Sequence, residues 1–214
     1  MSQYNEDYYE RGIDAGVSCY TNYRWMPKET LSMAQSIVEF ADITKNDKIL
    51  DFGCAKGFMV KALTMLNYEC YGYDISSYAL QEAEEIVKDR LFLGDNNYEL
   101  DSYDTILAKD VLEHIDYATL PSLLTKFAKK CRSLFVVVPL GDGKVYNVPD
   151  YELDITHVIR ENKEWWAKTF SEAGFEVIKS EYLAPGIKDQ WAHYAKGNGF
   201  FLVQSKQPPL EESQ

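Results

Sequence analysis

From Lys48 to Leu63 an apolar run, a turn of small residues and a second apolar stretch follow one another without a spacer. Lys48-Ile-Leu-Asp reads as a buried strand ending at Asp51, and Gly53, Ala55 and Gly57 make a tight turn. Phe58-Met59-Val60-Lys61-Ala62-Leu63 then opens an amphipathic helix. Glycine lets the backbone approach a ligand closely, and the first helical turn leaves its N–H groups unpaired. A strand, a glycine turn and a helix start therefore make a cradle for a polar or anionic group.

The same alternation continues along the chain. Strands are expected at 48–53, 69–74, 90–94, 104–109 and 133–139, each rich in Val, Ile, Leu, Phe or Tyr and too short for a helix. Helical patterns lie between them at 57–67, 77–88 and 117–130. In the second, Tyr78, Leu80, Ala83 and Val87 form an apolar stripe with Glu and Lys outside it. Alternating strands and helices imply a parallel sheet with helices on both faces. The end departs from this pattern. Asn162 reads as the N-cap of a helix that Gly174 stops. Two strands, Phe175–Ser180 and Gly199–Gln204, then flank residues 184–197, which hold no crossover helix and so imply an antiparallel hairpin at one edge.

Residues 46–205 thus form one α/β domain, preceded by an aromatic, helical segment over 1–45 and followed by a flexible tail over 206–214. Residues 140–160 are irregular and read as a lid, with 184–197 as an insert. A net charge of −12 and a pI near 4.7 argue against a surface built for nucleic acid. No apolar run approaches the ~20 residues that span a bilayer. The polar, acidic start is no signal peptide, and Cys19, Cys54, Cys70 and Cys131 show no C-x-x-C spacing, three of them lying in or beside apolar runs. These features point to a cytoplasmic protein with reduced thiols and no membrane partner.

Four features fall at the carboxyl ends of successive strands, where open α/β sheets bind ligands. They are the Gly53–Gly57 turn, Asp74 closing Tyr71-Gly-Tyr-Asp, Gly94-Asp95, and Lys109-Asp110-Val111-Leu112-Glu113-His114. A carboxylate about twenty residues past the turn can accept both hydroxyls of a ribose. An acid at the third strand can accept from an exocyclic amine. Plainer readings stand beside these. Asp74 could cap the next helix, Asp95 could belong to an ordinary turn, Lys56 reads as solvated, and Glu113-His114 could lie on a solvated helix face.

The ordered set Ile49-Leu-Asp-Phe-Gly-Cys-Ala-Lys-Gly, Tyr71-Gly-Tyr-Asp, Leu93-Gly-Asp and Tyr103-Asp-Thr-Ile…Asp110-Val-Leu-Glu-His-Ile resembles the class I S-adenosylmethionine-dependent methyltransferases over residues 46–140. The resemblance implies a doubly wound, mostly parallel seven-stranded sheet with an antiparallel C-terminal hairpin strand, the Rossmann-like methyltransferase fold. It implies S-adenosyl-L-methionine as cofactor, with Asp51, Gly53 and Gly57 holding the methionyl part, Asp74 the ribose and Asp95 the adenine amine. Cys54, Ala55, Ile75, Gly94 and Lys109 would complete the cofactor site. Ala55 departs from the glycine that many members carry. Tyr23, within Tyr20-Thr-Asn-Tyr23-Arg24-Trp25, could pack on adenine or attract the sulfonium, or the segment could simply join the core.

Of three histidines, His157 in Asp154-Ile-Thr-His157 is the candidate base, with Asp154 as its orienter. The pair could instead ligate a divalent ion, or His157 could fix the loop; the expectation carried forward has no metal. Tyr146, Tyr151, Trp165, Trp166 and Trp191 suggest an acceptor pocket suited to a ring or sugar, so the expected acceptor is a small molecule, with oxygen on a sugar or related metabolite as the leading expectation and no nucleic-acid partner. Two rivals remain at this point. A nicotinamide-dependent oxidoreductase shares the strand, turn and ribose acid but favours Gly-x-Gly-x-x-Gly. A non-catalytic cofactor-binding protein would share every feature of the rim.

Overall fold

The computed structural model describes residues 3–94 and 100–207. Its frame is a sheet of strands β1 Lys48–Phe52, β2 Glu69–Asp74, β3 Leu91–Leu93, β4 Tyr103–Lys109, β5 Cys131–Pro139, β6 Phe175–Glu181 and β7 Asn198–Ser205. They lie in the order β3-β2-β1-β4-β5-β7-β6. The first five run parallel, and β7 is antiparallel to both β5 and β6. The direction of winding reverses between β1 and β4, so a crevice opens where the turn after β1 faces the loop after β4.

The helices are α1 Glu6–Glu10, α2 Gly12–Ala15, α3 Pro27–Phe40, α4 Phe58–Met65, α5 Ser77–Gln81, α6 Glu85–Lys88, α7 Leu120–Lys130 and α8 Lys163–Glu172. Successive strand residues point to opposite faces, and the sheet is buried on both. Leu134, Val136 and Val138 pack with Phe127 of α7 and Trp166 of α8. Their neighbours Phe135 and Val137 pack with Ile37 of α3 and Val60 of α4. Asn162 caps α8 by accepting the Trp165 N–H at 2.8 Å. Trp166 is fully buried and Trp165 packs partly against the same core, so neither belongs to an acceptor pocket.

Three expectations are corrected. The helix expected over 77–88 is two short helices, because the chain turns extended at Glu84 (φ −70°, ψ 142°). The apolar stripe runs unbroken through the interruption, so spacing alone could not reveal it. The helix expected from 117 starts at Leu120, because the Asp116 carboxylate accepts the N–H groups of Ala118 and Thr119 and holds a turn there. Lys56 is buried, not solvated, and pairs with Glu10. Asp95 and residues 208–214 of the tail lie outside the described residues. Among the described residues no helix is long and apolar enough to cross a membrane.

Candidate active site

Gly53 adopts φ +81° and Gly57 φ +72°, backbone that glycine supplies without steric cost. A β-carbon on Gly53 would lie 2.3 Å from Val111 Cγ2, so the turn after β1 and the loop after β4 touch here. Asp74, at the tip of β2, is buried. One carboxylate oxygen accepts the Ala55 N–H and the other the Ser76 N–H, each at 2.7 Å. Ser76, not Asp74, caps α5, its hydroxyl accepting the Ala79 N–H. Burial raises the Asp74 carboxyl, while the N–H groups of Ser76 and Ala55 oppose the rise.

Two cavities open along this rim. The first, of about 520 Å³, is lined by Gly53, Ala55, Asp74 and Ile75 below and by Tyr4, Tyr8, Tyr9 and Tyr20 above. The second, of about 720 Å³, is lined by Asp51, Cys54, Tyr23, Lys109, Asp154 and His157, among others. Tyr20, Gly53, Asp110 and His114 line both, so the cavities meet at these four residues. Gly57 and Gly94 line neither cavity. Gly57 instead shapes the entry to α4, and Gly94 donates its N–H to the Asp74 carbonyl at 2.8 Å.

The aromatic roof is built by the N-terminal segment. Tyr9 contacts the rings of Tyr8, Tyr20, Tyr23 and Tyr78 at 5.1–6.2 Å between centroids. Bonds from Ser76 Oγ to the Tyr4 carbonyl, from the Tyr8 hydroxyl to Asp154 and from Lys56 to Glu10 at 2.5 Å tie the segment to the domain, and one from Ser18 Oγ to the Tyr8 carbonyl braces it internally. Tyr23 leans on Phe58 at the start of α4. The segment therefore both packs on the domain and lines the cavities.

The electrostatics of the second cavity are uneven. Burial pushes the Asp51 carboxyl up to about 7, which Lys109 opposes and Asp74 reinforces. Asp110 sits in left-handed backbone (φ +56°) between two ammonium groups, Lys109 at 2.6 Å and Lys188 at 2.5 Å. Burial alone would raise its carboxyl, but the two cations hold it well below the usual range. Glu113 and His114 lie on a 3₁₀ turn, Leu112–His114, that directs them inward, so the solvated-face reading fails. Burial drives the Glu113 carboxyl well up, and pushes the His114 imidazole down to about 4 with help from His157.

Asp154 and His157 share one strap but do not hydrogen-bond; His157 Nε2 is 3.9 Å from the carboxylate. Asp154 accepts from the Tyr8 hydroxyl at 2.7 Å and from the N–H and hydroxyl of Thr156 at 2.9 and 2.6 Å. The orienter of His157 is the Tyr151 carbonyl, 2.8 Å from Nδ1. Tyr151 and Trp191 line the second cavity with ring centroids 5.6 Å apart, whereas Tyr146 packs behind them. Sequence reasoning missed Tyr8 and Lys188, whose partners lie 146 and 78 residues away. No local pattern signals pairings of that span.

A switch-point crevice with a glycine turn, a buried acid at the tip of β2 and an aromatic roof is where an open α/β sheet takes its ligand. The family described as methyltransferase domain matches residues 25–203, and the chain belongs to it. It is an S-adenosylmethionine-dependent methyltransferase of class I fold. Solved structures share that fold at low identity. A chain of the complex between the Haloferax volcanii Trm112 methyltransferase activator and a methyltransferase aligns with TM-score 0.65 and 15% identity, covering 87% of this chain and 92% of that one. An S-adenosylmethionine-dependent methyltransferase from Archaeoglobus fulgidus aligns with TM-score 0.62 and 16% identity over 83% and 94%. Magnesium protoporphyrin IX methyltransferase from Synechocystis aligns with TM-score 0.61 and 17% identity over 84% of each chain. No curated protein matches the chain closely enough to count as a relative.

Proposed function

We propose that the two cavities divide one reaction between them, the first holding the adenosyl part of the cofactor and the second its methionyl part and the acceptor. The carrying observation is their junction at Tyr20, Gly53, Asp110 and His114. The residues suit the cofactor. Asp74 keeps two lone-pair sites free after accepting two N–H groups, enough for a ribose diol. Ile75 and the tyrosines offer apolar surface to a purine, and Asp51 offers a carboxylate to an amino group. Cys54, Ala55 and Lys109 complete the walls of the methionyl part.

Bound S-adenosylmethionine supplies a methyl group that is already electrophilic at sulfur. The protein must then align the acceptor and exclude water. The tyrosine roof closes one side, and Tyr151 and Trp191 line the other. We read the acceptor as a small molecule rather than a nucleic acid, and its reacting atom as oxygen on a sugar or related metabolite. His157 is the residue we set against the acceptor hydroxyl, since its Nδ1 is committed to Tyr151 and Nε2 keeps its lone pair.

Calorimetry with S-adenosylhomocysteine, paired with a methyl-transfer screen over sugars, hydroxy acids and amines, tests this reading. Binding with methylation of an oxygen acceptor is expected. Methylation confined to nitrogen or protein acceptors would overturn the acceptor assignment, and absence of binding would overturn the whole proposal.

A further inference from the structure

Glu113 is 1% exposed, and neither of its carboxylate oxygens has a hydrogen-bond partner on another residue. A buried carboxylate left this way costs far more than one paired with a cation or with donors. Two imidazoles lie beside it, and the charges of Asp110, Lys188 and Lys109 also act on it. One donor atom from each of Glu113, His114 and His157 lies within 4.8 Å of the other two, and His157 Nε2 is 4.0 Å from Glu113 Oε1. The His rings are 4.7 Å apart between centroids.

The hydrogen bonds behind the rings fix which nitrogen is free. Thr156 has one hydroxyl proton, and it goes to Asp154, which accepts on both oxygens. The Thr156 oxygen, 2.7 Å from His114 Nδ1, must therefore accept, so His114 carries its proton on Nδ1. His157 Nδ1 likewise donates to the Tyr151 carbonyl. Both rings are held as the tautomer that leaves the Nε2 lone pair available. Metal-bound histidines are fixed in this way, with the second nitrogen donating to an oxygen behind it. The backbone is locked as well: the Glu113 carbonyl accepts the N–H groups of Val158 and Ile159 at 2.8 and 3.0 Å, joining the 3₁₀ turn to the strap that carries His157.

We propose that Glu113, His114 and His157 form a divalent transition-metal site whose open positions face the second cavity and take an oxygen of the acceptor. The acceptor part rests on the function proposed above, with His157 holding the ion in place of acting as base; the metal site itself does not. Ligands about 2.0–2.2 Å from a common ion sit roughly 3–4 Å apart, so the present spacing needs only a small contraction. Two imidazoles and one carboxylate select Mn, Fe, Co, Ni or Zn over magnesium or calcium, which prefer all-oxygen sites. Three protein ligands leave room for substrate oxygen, as catalytic sites require. Asp154 accepts from Tyr8 and twice from Thr156, and it is a positioning residue that acts on His114 through Thr156.

The test titrates Co²⁺ into chelator-stripped protein, following heat and the visible absorption of bound cobalt. One ion per chain is expected. Glu113→Gln, His114→Ala and His157→Ala should each weaken binding by about a hundredfold or more, and Thr156→Val by about 10–100-fold through lost orientation. Circular dichroism and melting of the metal-free variants show whether each is folded. Thr156→Val removes no ligand, so it reports on the site even where a ligand variant unfolds. Wild-type binding no tighter than that of Glu113→Gln would overturn the site. Full turnover by stripped enzyme, with cobalt binding intact, would overturn the acceptor part and return His157 to the role of base. S-adenosylhomocysteine titrated into the stripped protein separates the two readings. Retained binding there with no cobalt binding discards only the metal, and the reverse discards only the cofactor assignment.

Discussion

Asp74 Oδ2 accepts the Ala55 N–H at 2.7 Å, joining the tip of β2 to the glycine turn after β1. The acid is thereby held in position before any ribose arrives, its other oxygen taken by the Ser76 N–H. Asp74→Ala should strand both N–H groups and cost roughly 1–3 kcal/mol for each left unpaired. Affinity for S-adenosylhomocysteine should fall about ten- to a hundredfold, since a hydrogen bond to a charged acceptor contributes about 1.5–3 kcal/mol. Asp74→Asn keeps one acceptor oxygen and should fall between. Urea unfolding and calorimetry measure the two effects; unchanged affinity in the alanine variant would remove Asp74 from the ribose site.

The Asp51 carboxyl, raised to about 7 chiefly by burial, makes a pH prediction with a definite sign. Between about pH 4 and pH 7 the folded state holds a proton on Asp51 that the unfolded chain has released. This contribution to stability is full at the acid end and lost as pH rises through 7. Relative to Asp51→Asn, the wild type should therefore lose stability across that window. Cofactor binding has the opposite slope, because only the ionised acid attracts an ammonium group. Affinity for S-adenosylhomocysteine should drop about tenfold from pH 8 to pH 6 in the wild type and stay flatter in Asp51→Asn. Equal slopes in the two proteins would deny Asp51 that role.

The turn after β1 separates space from backbone strain. Ala55 holds φ +49°, where an L side chain costs about 1–2 kcal/mol against the ~0.5–1 kcal/mol of extra chain entropy that glycine would lose. Ala55→Gly should be neutral or stabilising by up to about 1 kcal/mol. Gly53→Ala meets both the left-handed backbone and Val111 at 2.3 Å, and should destabilise more. Adding Val111→Ala should recover the part due to overlap and leave the part due to φ. Melting of the single and double variants gives both numbers.

The sheet was legible because its strands are buried on both faces and read as short apolar runs between turn signals. All seven strands fall within two residues of expectation, and Asn162 and Gly174 bound α8 as their chemistry dictates. The rim of the crevice was legible for the same reason: Asp51, Asp74 and Lys109 occupy strand ends, which the pattern marks. The second cavity was not. Asp110 depends on Lys188, and Asp154 on Tyr8, across spans that local sequence does not encode. Glu113-His114 looked like a helix face, and only the 3₁₀ turn sends both residues inward. The 77–88 helix failed because periodicity records which face is buried and not whether the backbone stays helical.

Lys56 shows the same blindness and carries the last prediction. A lysine at the entry to α4 opposes the helix dipole, so in isolation it belongs in water. Here Glu10, 46 residues earlier, supplies the compensating charge at 2.5 Å, and the Tyr78 hydroxyl also donates to Glu10, at 3.2 Å. The pair therefore latches α1, with Tyr8 and Tyr9, down over the first cavity. The Lys56 side chain is 9% exposed and that of Glu10 24%, so desolvation is incomplete. Glu10→Gln, which leaves the cation without its partner, should cost about 1–3 kcal/mol, less than the ~3–5 kcal/mol of a fully buried pair. Replacing both as Glu10→Gln with Lys56→Met should restore much of it, because no lone charge remains. Hydrogen exchange over residues 6–10 should quicken in the single variant before global unfolding, and S-adenosylhomocysteine should bind more weakly as the roof loosens. If exchange in that helix matched the wild type, the latch would have no hold on the roof.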